Sequence, residues 1–218
     1  MAKPILKKQV EFFTIKENTV AEIVEKKSKF IANLCYIETE EQAQHLIKEI
    51  KKKYHDARHN CVAYRVIENE SVIEKASDDG EPSGTAGAPM LNILQKNNLN
   101  NILVVVTRYF GGILLGTGGL VRAYSESLLK AIEKSKLIFK CEGEELEVTL
   151  DYNYFENFKY YCKNNQIIIT NIQYNENIIC KIEAEEEIIK KLMVNYETKK
   201  IILKDIQKLS KKYVTKSI

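Results

Sequence analysis

Ile102-Leu103-Val104-Val105-Val106-Thr107-Arg108-Tyr109-Phe110-Gly111-Gly112-Ile113-Leu114-Leu115-Gly116-Thr117-Gly118-Gly119-Leu120-Val121-Arg122-Ala123-Tyr124 is the stretch that decides how this chain is read. Its opening apolar run, rich in β-branched residues, predicts a strand over 102–107 buried on both faces. From Thr117 onward Leu120, Val121, Tyr124, Leu128, Leu129 and Ile132 recur at helical spacing, which predicts a helix to Lys134 with Arg122 and Glu126 paired on its outer face. From Gly111 to Gly119, across the loop and the helix start, lie five glycines, the residue that turns with positive φ or lets backbone approach closely. Arg108 and Arg122 bracket thirteen residues without a charge, where average composition would put about three or four. A solvating loop would carry those charges, so the loop is expected to be part-buried or shaped around a ligand.

A second glycine segment lies upstream: Asp78-Asp79-Gly80-Glu81-Pro82-Ser83-Gly84-Thr85-Ala86-Gly87-Ala88-Pro89. Eight of the nine glycines fall between Gly80 and Gly119, leaving only Gly143 elsewhere. One surface of the molecule is therefore built largely from bare backbone.

The bulk properties narrow the class. The chain has 218 residues, 44% hydrophobic, with a net charge of +3. No apolar run approaches the ~20 residues a membrane-spanning helix needs, and Met1–Lys8 lacks the apolar core of a signal peptide. The expectation is a cytoplasmic protein with no membrane partner. Five cysteines without a C-x-x-C pair read as reduced thiols, not a disulfide framework or zinc site, and no cofactor is expected. The lysine-rich end (Lys199, Lys200, Lys204, Lys208, Lys211, Lys212 and Lys216 against Asp205) reads either as a solvated face or as a basic tail that touches RNA.

Around the glycine window the pattern predicts strands over 19–26 and 30–37. A helix follows, opened by Thr39 with Gln42 completing a capping box, and then a hairpin of 61–67 with 72–76 across Glu68-Asn69-Glu70-Ser71. A short helix follows over 88–95. Beyond Gly143 the order is strand 146–150, helix 154–162, strands 166–174 and 178–184, helix 185–196 and a last strand 200–203. That β-α-β-β-α-β order is the split βαβ, ferredoxin-like plan. The fold class is α+β in two domains, 1–138 and 139–218.

The strand, glycine loop and helix order could cradle an anion on backbone N–H groups, with Arg108 closing on a phosphate and Tyr109 or Phe110 stacking on a base. No Lys-Ser/Thr pair follows the glycines, and Val121 stands where a dinucleotide fingerprint needs glycine, so neither nucleotide motif is present. The same glycines could instead simply let the helix pack tightly. Asp78, Asp79 and Glu81 could act as general acid and base or hold a cation, or be ordinary turn chemistry. His55 and His59 have i, i+4 spacing without the glutamate of a zinc motif.

Three segments carry a resemblance: Ala57-Arg58-His59-Asn60-Cys61-x-Ala63-Tyr64, the Asp78–Gly87 segment, and Val106–Tyr124. They resemble the YigZ/Impact family over about residues 18–125. Ser83 and Ala88 depart from the glycine and the basic residue of many relatives. The resemblance implies an N-terminal domain similar to domain 2 of ribosomal protein S5. It also implies a ferredoxin-like C-terminal domain similar to the last domain of elongation factor G. Both are translation-associated folds, though fold kinship alone is analogy.

Two functions compete. The leading one is a non-enzymatic, translation-associated regulator that binds RNA or the ribosome. The other is an enzyme acting on a phosphorylated ligand in the same cleft. The candidate binding residues are His59, Tyr64, Asp78, Asp79, Gly80, Glu81, Gly84, Thr85, Arg108, Tyr109, Gly111, Gly112, Gly116, Thr117, Gly118, Gly119 and Arg122. No catalytic or metal-ligating residue is assigned, and the oligomeric state is left open.

Overall fold

The computed structural model describes residues 11–69 and 71–216. Met1–Lys8 and Glu70 of the predicted hairpin lie outside them. The described residues fall into two compact units divided between Ile138 and Phe139.

In the first unit the elements run β1 (Glu11–Ile15), β2 (Thr19–Glu25), β3 (Ser28–Tyr36), α1 (Glu40–Lys53), β4 (His59–Glu68), β5 (Ser71–Ser77), α2 (Gly87–Lys96), β6 (Ile102–Tyr109) and α3 (Gly116–Lys134). β2 to β6 form one sheet in the order β2-β3-β6-β4-β5, with every neighbouring pair antiparallel. The β6 run is buried on both faces, as its sequence predicts. Ile102, Val104 and Val106 pack with Met90 and Leu94 of α2 and Leu120, Tyr124 and Leu128 of α3. Leu103 and Val105 pack against Ala43 and Ile50 of α1 on the other face. Thr39 caps α1 by accepting from the Gln42 N–H at 3.1 Å, but Gln42 reaches back to the Glu38 N–H instead of to Thr39 itself.

The second unit follows the predicted order, with a much longer first strand: β7 (Leu137–Leu150), α4 (Tyr152–Asn164), β8 (Ile168–Tyr174), β9 (Ile178–Glu185), α5 (Glu186–Glu197) and β10 (Asp205–Lys216). The sheet order β10-β7-β9-β8 is antiparallel throughout. Alternate residues of β7 and β9 (Leu146, Val148, Leu150; Ile178, Cys180, Ile182) form a core with Phe155, Phe158 and Cys162 of α4 and Ile189 and Leu192 of α5. The fold class is α+β, S5 domain 2-like followed by ferredoxin-like.

Two expectations are corrected here. Residues 200–203 are not a strand; the last strand is β10, farther along the chain. The lysine-rich end is accordingly not a free tail. It pairs with β7, and its lysines meet carboxylates on neighbouring elements: Lys204 with Asp151 at 2.6 Å, Lys208 with Glu144 at 2.7 Å, Lys212 with Glu145 and Glu183, and Lys216 with Glu185 at 3.0 Å.

Candidate functional site

The acidic turn is spent on structure. Asp78 accepts from the N–H groups of Gly84, Ala86 and Gly87 at 2.8, 3.0 and 2.8 Å, so its carboxylate caps the start of α2 from eight residues upstream. Asp79 bridges two elements, bonding Lys51 of α1 and the Asn60 N–H of β4, both at 2.7 Å. Burial opposes ionisation of Asp79, but Lys51, the Asn60 N–H and the nearby His59 outweigh it and hold its carboxyl below the ordinary value. His59 donates from Nδ1 to the Asp79 carbonyl at 2.9 Å, since a carbonyl can only accept. Gly80 lies against that ring with φ +86. Thr85 donates its hydroxyl to the Pro82 carbonyl at 2.6 Å.

Glu81 and Arg108 form a buried pair. Their side chains are 3% and 8% exposed, and Arg108 Nη1 meets Glu81 Oε1 at 2.7 Å. The Tyr124 hydroxyl of α3 donates to the same oxygen at 2.8 Å. The Arg108 guanidinium lies between the rings of Phe30 and Phe110, at 5.6 and 5.5 Å, a stacking that suits its planar fork. Arg108 Nε has no partner among the described residues. Burial, with Cys61 and Glu81 close by, pushes the Tyr124 phenol far up, so it stays a proton donor. Cys61, beneath them, is pushed up to about 12 chiefly by burial and is no nucleophile.

The second glycine segment is open to water. Phe110, Ile113 and Leu114 are 55, 43 and 81% exposed, which sets aside the part-buried alternative for this uncharged loop. Gly111 packs its backbone on the β2–β3 turn, where a Cβ would lie 2.0 Å from the Lys27 carbonyl carbon. Gly112 and Gly116 have positive φ (+85 and +71) and open space around them. The first turn of α3, Gly116-Thr117-Gly118-Gly119, has no side-chain cap and no acidic residue, and the first N–H groups of a helix have no partner within the helix itself. Arg122, exposed on the next turn, makes no ion pair or hydrogen bond among the described residues; the predicted pairing with Glu126 is absent. The β2–β3 turn presents Lys26 and Lys27, both at positive φ (45 and 62), an arrangement that glycine or asparagine usually fills. Lys26, Arg122, Gly119 and Leu115 line a small cavity of about 110 Å³, with Glu25 and Glu126 on its walls.

The candidate residues therefore divide. His59, Gly80, Glu81 and Arg108 gather at the ends of β4 and β6, together with Tyr124. Gly116, Thr117, Gly118 and Arg122 form a separate exposed surface at the start of α3, with Gly119 and Leu120 buried behind it. Tyr64 belongs to the α1 side, where its hydroxyl meets Glu40 at 2.8 Å, and the Tyr109 hydroxyl is held by Asp56 at 2.8 Å. His55 precedes β4 and His59 begins it, so they share no helix face, and no group of three His, Cys, Asp or Glu among the described residues is placed to hold a metal. Sequence reasoning missed Lys26, Lys27 and Tyr124 as site neighbours. Only Tyr124 left a signal, a hydroxyl on the apolar stripe of a helix that must find a partner when buried.

Residues 26–132 match the model of the Impact N-terminal domain, a span that includes every candidate residue named above. "IMPACT family member YvyE" of Bacillus subtilis is 43% identical over 167 residues, covering 77% of this chain and 76% of that protein. The chain belongs to the IMPACT family. "IMPACT family member YigZ" of Escherichia coli is 40% identical over 136 residues, 62% of this chain and 66% of that one. Among solved structures, one described as a hypothetical protein is 29% identical with a TM-score of 0.59, and the match covers 93% of this IMPACT-family chain and 98% of the other. No helix among the described residues of this IMPACT-family chain is long and apolar enough to cross a membrane.

Proposed function

We propose that this IMPACT-family chain is a translation-associated regulator that binds RNA or the ribosome through phosphate contacts at the start of α3. Membership of the family and the two translation-type folds support the setting. The observation that carries the site is an uncapped helix start beside a charge-free loop and three cations without an ion-pair partner among the described residues: Arg122 and Lys26, which share a cavity with Glu25 and Glu126, and Lys27, whose backbone packs on Gly111. Backbone N–H groups at a helix start and a planar guanidinium are suited to phosphate oxygens. The exposed Phe110, Ile113 and Leu114 add an apolar contact surface next to it.

The residues of the competing enzyme reading have intramolecular tasks. Asp78 caps α2, Asp79 holds Lys51, Glu81 neutralises Arg108 and the Thr85 hydroxyl is bonded to Pro82. That commitment favours binding over acid–base chemistry. Arg108 itself leaves the phosphate-binding set, because its charge is already met by Glu81.

Thr117→Asp is the direct test. An acidic residue in the first turn of a helix favours folding, so the variant keeps α3 while repelling phosphate. Co-sedimentation with ribosomes at low salt is expected to fall several-fold in Thr117→Asp and in Arg122→Ala, with no loss of thermal stability in either. Undiminished sedimentation of both variants would contradict the site.

A further inference from the structure

We propose that the second unit carries a seat for an unstacked base of single-stranded RNA, in a cavity between α4 and the turn 200–202. The proposal rests on the RNA-binding reading above but names a different site, away from the glycine window. The cavity measures about 390 Å³, within the size of small-ligand pockets. Tyr154, Asn157, Tyr160, Tyr161 and Asn164 line it from one stripe of α4, and Lys200 faces them from the turn. Tyr154 and Tyr160 are 37 and 70% exposed. Neither ring nor hydroxyl of these two tyrosines has a partner among the described residues, so two π-faces stand open to a ligand.

The walls are fixed in advance. Asn195 of α5 donates to the Tyr161 hydroxyl at 2.8 Å, while its backbone carbonyl accepts from the N–H groups of Lys200 and Ile201 at 2.9 and 3.2 Å. One residue thus ties the α4 side of the cavity to the turn side, which lowers the ordering cost of binding.

The chemistry of the lining selects the occupant. Asn157 and Asn164 have side-chain amides without hydrogen bonds among the described residues, so donor and acceptor edges are free beside the rings. No acidic residue lines the cavity. Within one lysine-rich stretch, Lys204, Lys208 and Lys212 are paired with carboxylates, whereas Lys199 and Lys200 have no carboxylate partner among the described residues. Lys163, next along α4, has none either. Ring faces stack bases, amides read their edges and lysines hold the backbone, which is how unpaired RNA is recognised. An apolar peptide would leave the amides unmatched, and a duplex hides its base faces.

The full chain is titrated into fluorescein-labelled hexamers of adenosine and of uridine, and fluorescence anisotropy is read at 50 mM salt. Tyr160→Ala is expected to bind about tenfold more weakly than wild type, the scale of one lost stacking platform, and Asn157→Ala several-fold more weakly through its lost edge contacts. Tyr160→Phe keeps the ring and binds as wild type. Both positions lie on the exposed side of α4, and an unchanged melting temperature reports intact folding. If the hexamers bind but Tyr160→Ala binds them equally well, the seat is overturned while the RNA-binding reading stands. If a duplex of equal length loses as much affinity in the variants as the single strand does, the claim for an unstacked base is overturned. If adenosine monophosphate matches the hexamer's affinity, the ligand is a free nucleotide and the RNA proposal fails. If no hexamer binds wild type, the seat is likewise overturned, and ribosome co-sedimentation then judges the α3 site by itself.

Discussion

Glu81 and Arg108 are separated by 27 positions in the chain and meet at 2.7 Å in the core of the first unit. Breaking such a pair leaves one buried charge unmatched, which costs about 3–5 kcal/mol. Glu81→Gln should therefore lower the free energy of unfolding, read from urea denaturation, by that amount, and Arg108→Met in the same chain should recover much of it. A loss under about 1 kcal/mol in the single variant would show that the pair is not what holds this corner. Asp79 makes a smaller, pH-dependent contribution. Its carboxyl titrates below the ordinary value in the folded chain, so its contribution is complete above about pH 4 and is lost as the pH falls through the folded value. Asp79→Asn should flatten the acid limb of a stability–pH curve, and an unchanged limb would assign acid unfolding elsewhere. The thiols of Cys35 and Cys180 are pushed up to about 11, and those of Cys61 and Cys162 to about 12, mainly by burial. Iodoacetamide at pH 8 should leave these four unmodified in the native chain and label them after unfolding.

At the scale of elements, the two glycines after β6 do different work. Gly111→Ala would drive a Cβ into the Lys27 backbone, at 2.0 Å from carbon and 2.1 Å from oxygen, and should cost about 3 kcal/mol, the upper end of overpacking. Gly112→Ala meets nothing within 4 Å and bears only the strain of φ +85, about 1 kcal/mol. Equal losses from chemical denaturation would contradict this division. The sequence made β6 and α3 legible because both are governed by local periodicity, an apolar run for one and a helical stripe for the other. It also showed that the glycines mark a special surface. The length of β7 and the existence of β10 were not legible. Both strands carry alternating charge, Glu142, Glu144, Glu145 and Glu147 on one and Lys208, Lys211 and Lys212 on the other, and the acids and bases neutralise each other only after pairing. Asp78 could not be assigned as the cap of α2 from local pattern, because it acts from eight or nine residues away through a turn built by Gly80 and Gly84. The Lys26-Lys27 turn lies well upstream of α3, which begins at Gly116, and entered the candidate site only through the fold.

For the whole molecule, each unit carries one of the surfaces proposed for recognition: a helix start near cations in the first, a tyrosine-lined cavity in the second. Neither relies on a large net charge; the chain carries only +3. Most of its surface lysines in β10 are matched by carboxylates, so binding should come from a few placed contacts and depend on salt accordingly. The most direct test is ribosome co-sedimentation of the full chain across a salt series. Three phosphate contacts, from Arg122, Lys26 and Lys27, predict binding that is present at low salt and weakens with a log–log slope of about −2 to −3, made shallower by about one in Arg122→Ala. Binding absent even at the lowest salt, or binding that does not change with salt, would contradict recognition through phosphate at the start of α3.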